Sequence, residues 1–137
     1  PEGLKSIFLQ SASGQLHKTA KQTLRSSGGQ LVEKAEQAGI VVKIVREKLD
    51  RRVLSLSSTG RANEYELTYA LDFMLLDAEG NNLAEKQKVE ISRDYFNDQE
   101  EVLGKNNEEQ VIRKEMYRQA VQSIITRARV ALEKIEK

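Results

Sequence analysis

The sequence predicts an α+β fold: a two-layer sandwich in which a largely antiparallel sheet of about four strands carries two helices packed on one face. Two consecutive segments alternate apolar and polar residues at strand period, Tyr65–Leu75 and then Leu83–Tyr95, with a glycine turn between them. A long apolar stripe at helical spacing then runs from Ile112 to Ile135 with no Gly or Pro inside it. Helices do not alternate regularly with strands, which separates this pattern from a doubly wound parallel sheet.

The elements follow in order. Leu4-Lys5-Ser6-Ile7-Phe8-Leu9 is a short apolar segment between Gly3 and the Ser11–Gly14 cluster, and it reads as a buried strand. From Ser13, a good N-cap residue, Leu16, Ala20 and Leu24 recur at four-residue spacing while His17, Lys18, Lys21 and Arg25 take other faces, until Gly28-Gly29 stops the pattern. This is an amphipathic helix. Leu31-Val32 fits a short strand or the start of a helical piece through Ala38, and a short strand or extended link is favoured. Ile40–Val45 is β-branched and leads into Val53–Leu56, one long strand with a bulge or bend expected at the polar Glu47–Arg52 stretch.

Ser57–Arg61 is a turn. Beyond it Tyr65, Leu67, Tyr69, Leu71, Phe73 and Leu75 hold the odd positions against Glu64, Glu66, Thr68 and Asp72. After the Asp77–Asn81 turn, Leu83, Val89, Ile91 and Tyr95 do the same against Lys86, Lys88, Glu90 and Asp94. Asn97–Lys105 is polar and loop-like, and Asn106 or Asn107 is expected to cap the long helix with Glu109 or Gln110 three residues on. Its stripe is Ile112, Met116, Ala120, Ile124, Ala128 and Leu132, with Tyr117, Val121, Ile125, Ala131 and Ile135 beside it. The helix would span about 45 Å and the Glu64–Leu76 strand about 43 Å, so the two match in length.

Composition bounds the function. The 137 residues 1–137 form one expected domain, with 22 Lys+Arg against 21 Asp+Glu and 39% hydrophobic residues, too apolar and too balanced for a disordered tail. The charge is uneven: residues 1–60 hold 10 basic and 5 acidic side chains, residues 61–110 hold 5 and 13, and residues 111–137 hold 7 and 3. Opposite-sign segments neutralise one another once folded, and the Phe and Tyr residues sit mostly at strand spacing, which disfavours a nucleic-acid reader. Without cysteine there is no disulfide scaffold, no Cys-based zinc site and no thiol catalysis. The apolar runs are far shorter than the roughly 20 residues of a membrane span.

No nucleophile elbow, P-loop, dinucleotide fingerprint or H-E-x-x-H motif occurs, and His17 stands without metal-ligand neighbours. Asp94, Asp98, Glu100 and Glu101 cluster, yet they lack the spacing of a calcium loop and are expected to be solvated. No enzyme activity, cofactor or metal is therefore expected. Two cations stand at element ends near apolar residues, Arg61 after the first hairpin turn and Lys105 before the long helix. Both side-chain types bind phosphate, Arg bidentately and Lys as a point charge. A runner-up of another class is a periplasmic small-ligand-binding domain with its pocket between sheet and helices.

Asn63-Glu64-Tyr65-Glu66-Leu67, Arg93-Asp94-Tyr95-Phe96-Asn97-Asp98, Leu103-Gly104-Lys105-Asn106-Asn107-Glu108-Glu109 and Ile112-Arg113-Lys114-Glu115-Met116-Tyr117 occur in that order. Together they resemble the LptE family of outer-membrane lipopolysaccharide-assembly lipoproteins of Gram-negative bacteria, most strongly over residues 61–125. The resemblance implies a noncatalytic plug inside the LptD β-barrel, part of the translocon that delivers lipopolysaccharide to the outer leaflet, and direct binding of lipopolysaccharide. It assigns lipopolysaccharide contact to Lys105. A second basic position of the family falls on Ser58, and Arg61 is the candidate substitute. It also implies a lipidated cysteine upstream of Pro1 that anchors the protein to the outer membrane, the present chain being the soluble part.

Overall fold

Five strands form one mixed sheet in the computed structural model, which describes residues 2–56, 58–60, 62–96 and 102–136, with side chains described at 3–56, 58–60, 64–96 and 108–135. In chain order they are β1 (Ser6–Gln10), β2 (Gln30–Val32), β3 (Ile40–Leu56), β4 (Ala62–Leu76) and β5 (Gln87–Phe96). Helix α1 (Gly14–Ser26) connects β1 to β2, and α2 (Val102–Glu136) follows β5. The spatial order is β2-β1-β3-β4-β5. The fold class agrees with the sequence reading, with one strand more, because Gln30–Val32 pairs with Ser6–Phe8. That pairing is parallel, as is β1 with β3, since a chain returning across a helix comes back in the same direction. The rest, β3-β4-β5, is the expected antiparallel meander.

Helix α1 begins where Ser13 stands extended and its side chain accepts the Leu16 N–H at 3.2 Å. It ends as Gly28 takes φ +86° and the Gly29 N–H donates to the Leu24 carbonyl at 2.8 Å, a turn that needs a residue free to adopt the left-handed region. Leu16, Ala20 and Leu24 are buried, as their spacing predicts. Each leucine contributes about 1.5–3 kcal/mol by leaving water. At the far end of the sheet, the Gly39 N–H donates to the carbonyl and Oγ of Ser6 at 2.8 and 2.9 Å. A Cβ on Gly39 would lie 2.4 Å from the Gly3 carbonyl oxygen, so the two chain segments approach through glycine alone.

The register of β3 decides what faces the helices. Ile40, Val42 and Ile44 are buried there, and then the pairing with β4 slips between Ile44 and Arg46. Val45 is left out of the ladder, half exposed. Beyond the slip Glu47, Leu49, Arg51 and Val53 lie opposite Leu71, Tyr69, Leu67 and Tyr65, residues of the core face. The expected irregularity at Glu47–Arg52 is thus displaced: that stretch pairs in unbroken register, and the shifts flank it at Val45 and at Val53–Leu56. Polar side chains on a core face do not break a strand when neighbouring hydroxyls and cations satisfy them.

The odd positions of β4 from Tyr65 to Leu75 are all buried, as predicted. Strand β5 starts at Gln87, so Leu83 precedes it and packs on the core from the connection. Helix α2 begins at Val102, four residues or more before the expected cap. Extending an existing helix adds a hydrogen bond per residue, and Gly104, Asn106 and Asn107 cost too little to end it. Met116, Ala120, Val121, Ile124, Ala128 and Ala131 are buried, Ile112, Tyr117, Ile125 and Leu132 partly so, and Ile135 is exposed. At 35 residues the helix is about 52 Å long, and the 15 residues of β4 span about 50 Å, so it runs the length of the hairpin.

Candidate functional site

Two carboxylates tie the helices to the sheet. Glu109 Oε1 accepts from the Tyr95 hydroxyl and from Arg51 Nη1 at 3.2 Å, and its Oε2 accepts from Arg113 Nη2 at 2.8 Å. The Tyr95 ring stacks on Tyr65 at 5.4 Å, and the Arg51 guanidinium lies 4.8 Å from the Tyr65 ring centre. Burial alone would raise the Glu109 carboxyl, but the Tyr95 hydrogen bond and the Arg113 and Arg51 charges outweigh it and hold the group below the usual carboxylate range. Burial first, and then the Glu109 bond, push Tyr95 up to about 12, so it remains a donor. The second carboxylate, Glu47, accepts from the Tyr69 hydroxyl at 2.6 Å and from the Ser13 N–H and Oγ at 2.8 and 2.5 Å. Burial and Glu47 keep Tyr69 protonated far above neutral pH, with its ring edge-on to Tyr117 at 4.9 Å.

This geometry positions the sequence-predicted cation of α2. Glu109 is held against the β3-β4-β5 hairpins, and Lys105 precedes it by one helical turn, about 6 Å. Since α2 runs from Tyr95 and Arg51 toward the Gln87 end, where Arg127 donates to Gln87, Lys105 occupies the end of the sheet that bears the β3–β4 turn. Lys105 is therefore inside the first turns of α2 and not ahead of the helix, a correction that follows from the earlier start at Val102. Leu56 and Phe96 are 62% and 64% exposed at this same end, with Val53 and Leu54 beside them. The end of the molecule thus joins an apolar rim to the backbone position of a cation. Arg61 lies outside the described residues, as do Asp98, Glu100 and Glu101 of the acidic cluster.

The Glu109 cluster was not legible in the sequence. Its one signal was the pairing of Tyr65 and Tyr95 on neighbouring odd-numbered strand positions. Arg51 joins only because the slip at Val45 turns it to the helix side. The sheet's other face carries Lys43, Arg46, Lys48 and Asp50 on β3 and Lys88, Glu90, Ser92 and Asp94 on β5, all exposed. His17 is exposed on α1. Among the described residues no group of three or more His, Asp or Glu could hold a metal ion, and no helix is long and apolar enough to cross a membrane. Between sheet and helices, a void lined by Ile7, Leu9, Val42, Val121 and Ile124 measures about 10 Å³, room for a single water at most.

The family model for LptE, described as lipopolysaccharide-assembly, matches residues 4–128. The crystal structure of rare lipoprotein B from Shewanella oneidensis is similar at TM-score 0.75 and 30% identity, covering 96% of this chain and 99% of that one. The solution structure of an uncharacterized lipoprotein B from Nitrosomonas europaea is similar at TM-score 0.76 and 28% identity, covering 95% and 84%. The LPS-assembly lipoprotein LptE of Photorhabdus laumondii is 24% identical over 127 residues, 91% of this chain and 69% of that protein. The matched span and the similarity to the Shewanella oneidensis structure agree: the chain belongs to the LptE lipopolysaccharide-assembly family.

Proposed function

We propose that the protein acts in lipopolysaccharide assembly as a noncatalytic component of the outer-membrane translocon, plugging and helping to assemble the LptD β-barrel and binding lipopolysaccharide for insertion into the outer leaflet. The observation that carries this reading is the family match over residues 4–128. The exposed apolar rim of Val53, Leu54, Leu56 and Phe96 at the end of the fold where α2 carries Lys105 supports it, because an amphiphile with phosphate groups needs both surfaces. In this role Lys105, with Arg61 as second cation, takes lipopolysaccharide phosphates and loosens packing between neighbouring molecules. The charged open face of the sheet suits the polar lumen of a barrel. A lipid anchor tethers the protein to the outer membrane, as the lipoprotein names of its relatives suggest.

Noncatalytic action is favoured because the shifts at Glu109, Tyr69 and Tyr95 all move titration away from neutral pH, opposite to what a general acid or base requires. The 10 Å³ void between the layers weighs against the small-ligand alternative. Co-purification with LptD tests the plug role, with a stable one-to-one complex expected. Lys105→Glu is expected to weaken lipopolysaccharide binding about ten-fold while leaving the melting temperature unchanged, since it reverses one charge and removes no apolar side chain. Unchanged binding by a folded variant refutes the cationic site, and a folded chain that forms no complex refutes the plug.

A further inference from the structure

A cleft of about 500 Å³ opens between α1 and α2, and its walls bring Lys18, Thr19 and Thr23 of α1 against Lys114, Arg118 and Gln122 of α2. It lies on the helical layer and shares no lining residue with the Glu109 cluster or the apolar rim. No Asp or Glu occurs anywhere between Glu2 and Glu33, so α1 contributes positive charge alone. On the sheet Lys48, Arg51, Arg52 and Arg93, and just before β5 Lys86, each sit within reach of a carboxylate. Among the described residues, Lys18, Lys114 and Arg118 have no such partner, and neither do Lys43, Arg46 and Lys88 on the open face of the sheet, but the three cleft cations line one concavity.

Lys114 and Arg118 are also one helical turn apart on the same face, as are Lys21 and Arg25 on α1, and like charges at that spacing repel. A surface whose only task is solubility intersperses the two signs. Here cations converge from two elements on one concavity whose remaining lining includes hydroxyl and amide donors. A phosphate group matches this set: its oxygens accept from Lys and Arg with full charge and from Thr and Gln as neutral donors. The volume falls within the range of small-molecule clefts, which favours a compact ligand over an extended acidic chain.

We propose that the α1–α2 cleft is a phosphate-binding site for a ligand presenting more than one phosphate group, with Lys18, Lys114 and Arg118 as its charge partners and Thr23 and Gln122 as neutral donors. The phosphate belongs to a lipid headgroup or to a free sugar phosphate, and the two sources separate by experiment. The chain is titrated with fructose 1,6-bisphosphate and, separately, with phosphatidylcholine vesicles containing about 30% phosphatidylglycerol. Amide chemical shifts of α1 and α2 report the location, and two double variants compare charge placement: Lys18→Gln/Arg118→Gln in the cleft and Lys43→Gln/Lys88→Gln on the opposite face of the sheet. All four side chains are exposed, so the fold is retained, and circular dichroism checks it.

Saturable binding that moves α1 and α2 resonances, weakens about ten-fold in the cleft variant and changes less than about two-fold in the sheet variant is the expected result, with affinity falling as salt rises. Response to the sugar bisphosphate identifies a soluble source, and response to vesicles alone identifies a headgroup. The proposal is overturned if neither probe binds saturably, if both double variants weaken binding equally, or if a poly-glutamate peptide binds the cleft more tightly than either phosphate probe.

Discussion

Replacing Tyr95 by Phe deletes one hydroxyl and keeps the ring that stacks on Tyr65 at 5.4 Å. The hydroxyl is one of three donors to Glu109, and with Arg51 it is what fastens the first turns of α2 to the sheet. A hydrogen bond to a charged partner contributes about 1.5–3 kcal/mol. Glu109 keeps both arginines in the variant and its side chain is 17% exposed, so water reaches it and the loss falls at or below the bottom of that range, about 1–1.5 kcal/mol. For a domain of this length that corresponds to a melting temperature lower by about 3–7 °C. Location is as informative as size. Hydrogen exchange should quicken at the amides of residues 108–113 while Ala128–Ala131, packed on the core further along the same helix, keep their protection. An unchanged melting temperature with unchanged exchange, or an equal loss of protection along the whole of α2, would refute the idea that this cluster anchors the start of the helix.

Gly39→Ala places a methyl 2.4 Å from the Gly3 carbonyl oxygen, a backbone atom that cannot rotate away, and is expected to lower the unfolding free energy by about 2–3 kcal/mol, read as a lower urea midpoint at constant slope. Acid unfolding carries the sign of Glu109: its folded pKa lies below the ordinary 4.5, so its stabilisation is fully present above pH 4.5 and declines as the pH falls through the lower folded value. Glu109→Gln should flatten that acid limb. Tyr95 has the opposite dependence, raised from 10.0 to about 12, so its contribution holds below pH 10 and is lost as the pH climbs toward 12, a limb that Tyr95→Phe should remove.

Local pattern in the sequence determined much of this protein. Ser13 and Gly28 bound α1 because caps act within a few residues, and the odd positions of β4 from Tyr65 to Leu75 turn inward because strand period is intrinsic to the backbone. Motif order led to the family, and Lys105 came with it. The basic excess of residues 1–60 and of residues 111–137 foreshadowed the cations of the α1–α2 cleft, although not their convergence. Tertiary structure alone decided the rest. The slip at Val45 exists only in the pairing of β3 with β4, and it turns Glu47 and Arg51 to the helix side, where one tethers Ser13 and the other Glu109. The start of α2 at Val102 was equally hidden, since an asparagine caps a helix or continues one according to what holds the turns beyond it. Arg51 and Tyr95 reach Glu109 across 58 and 14 residues of chain. Periodicity and capping are short-range, whereas register and charge clustering depend on which distant segments the folded sheet brings together.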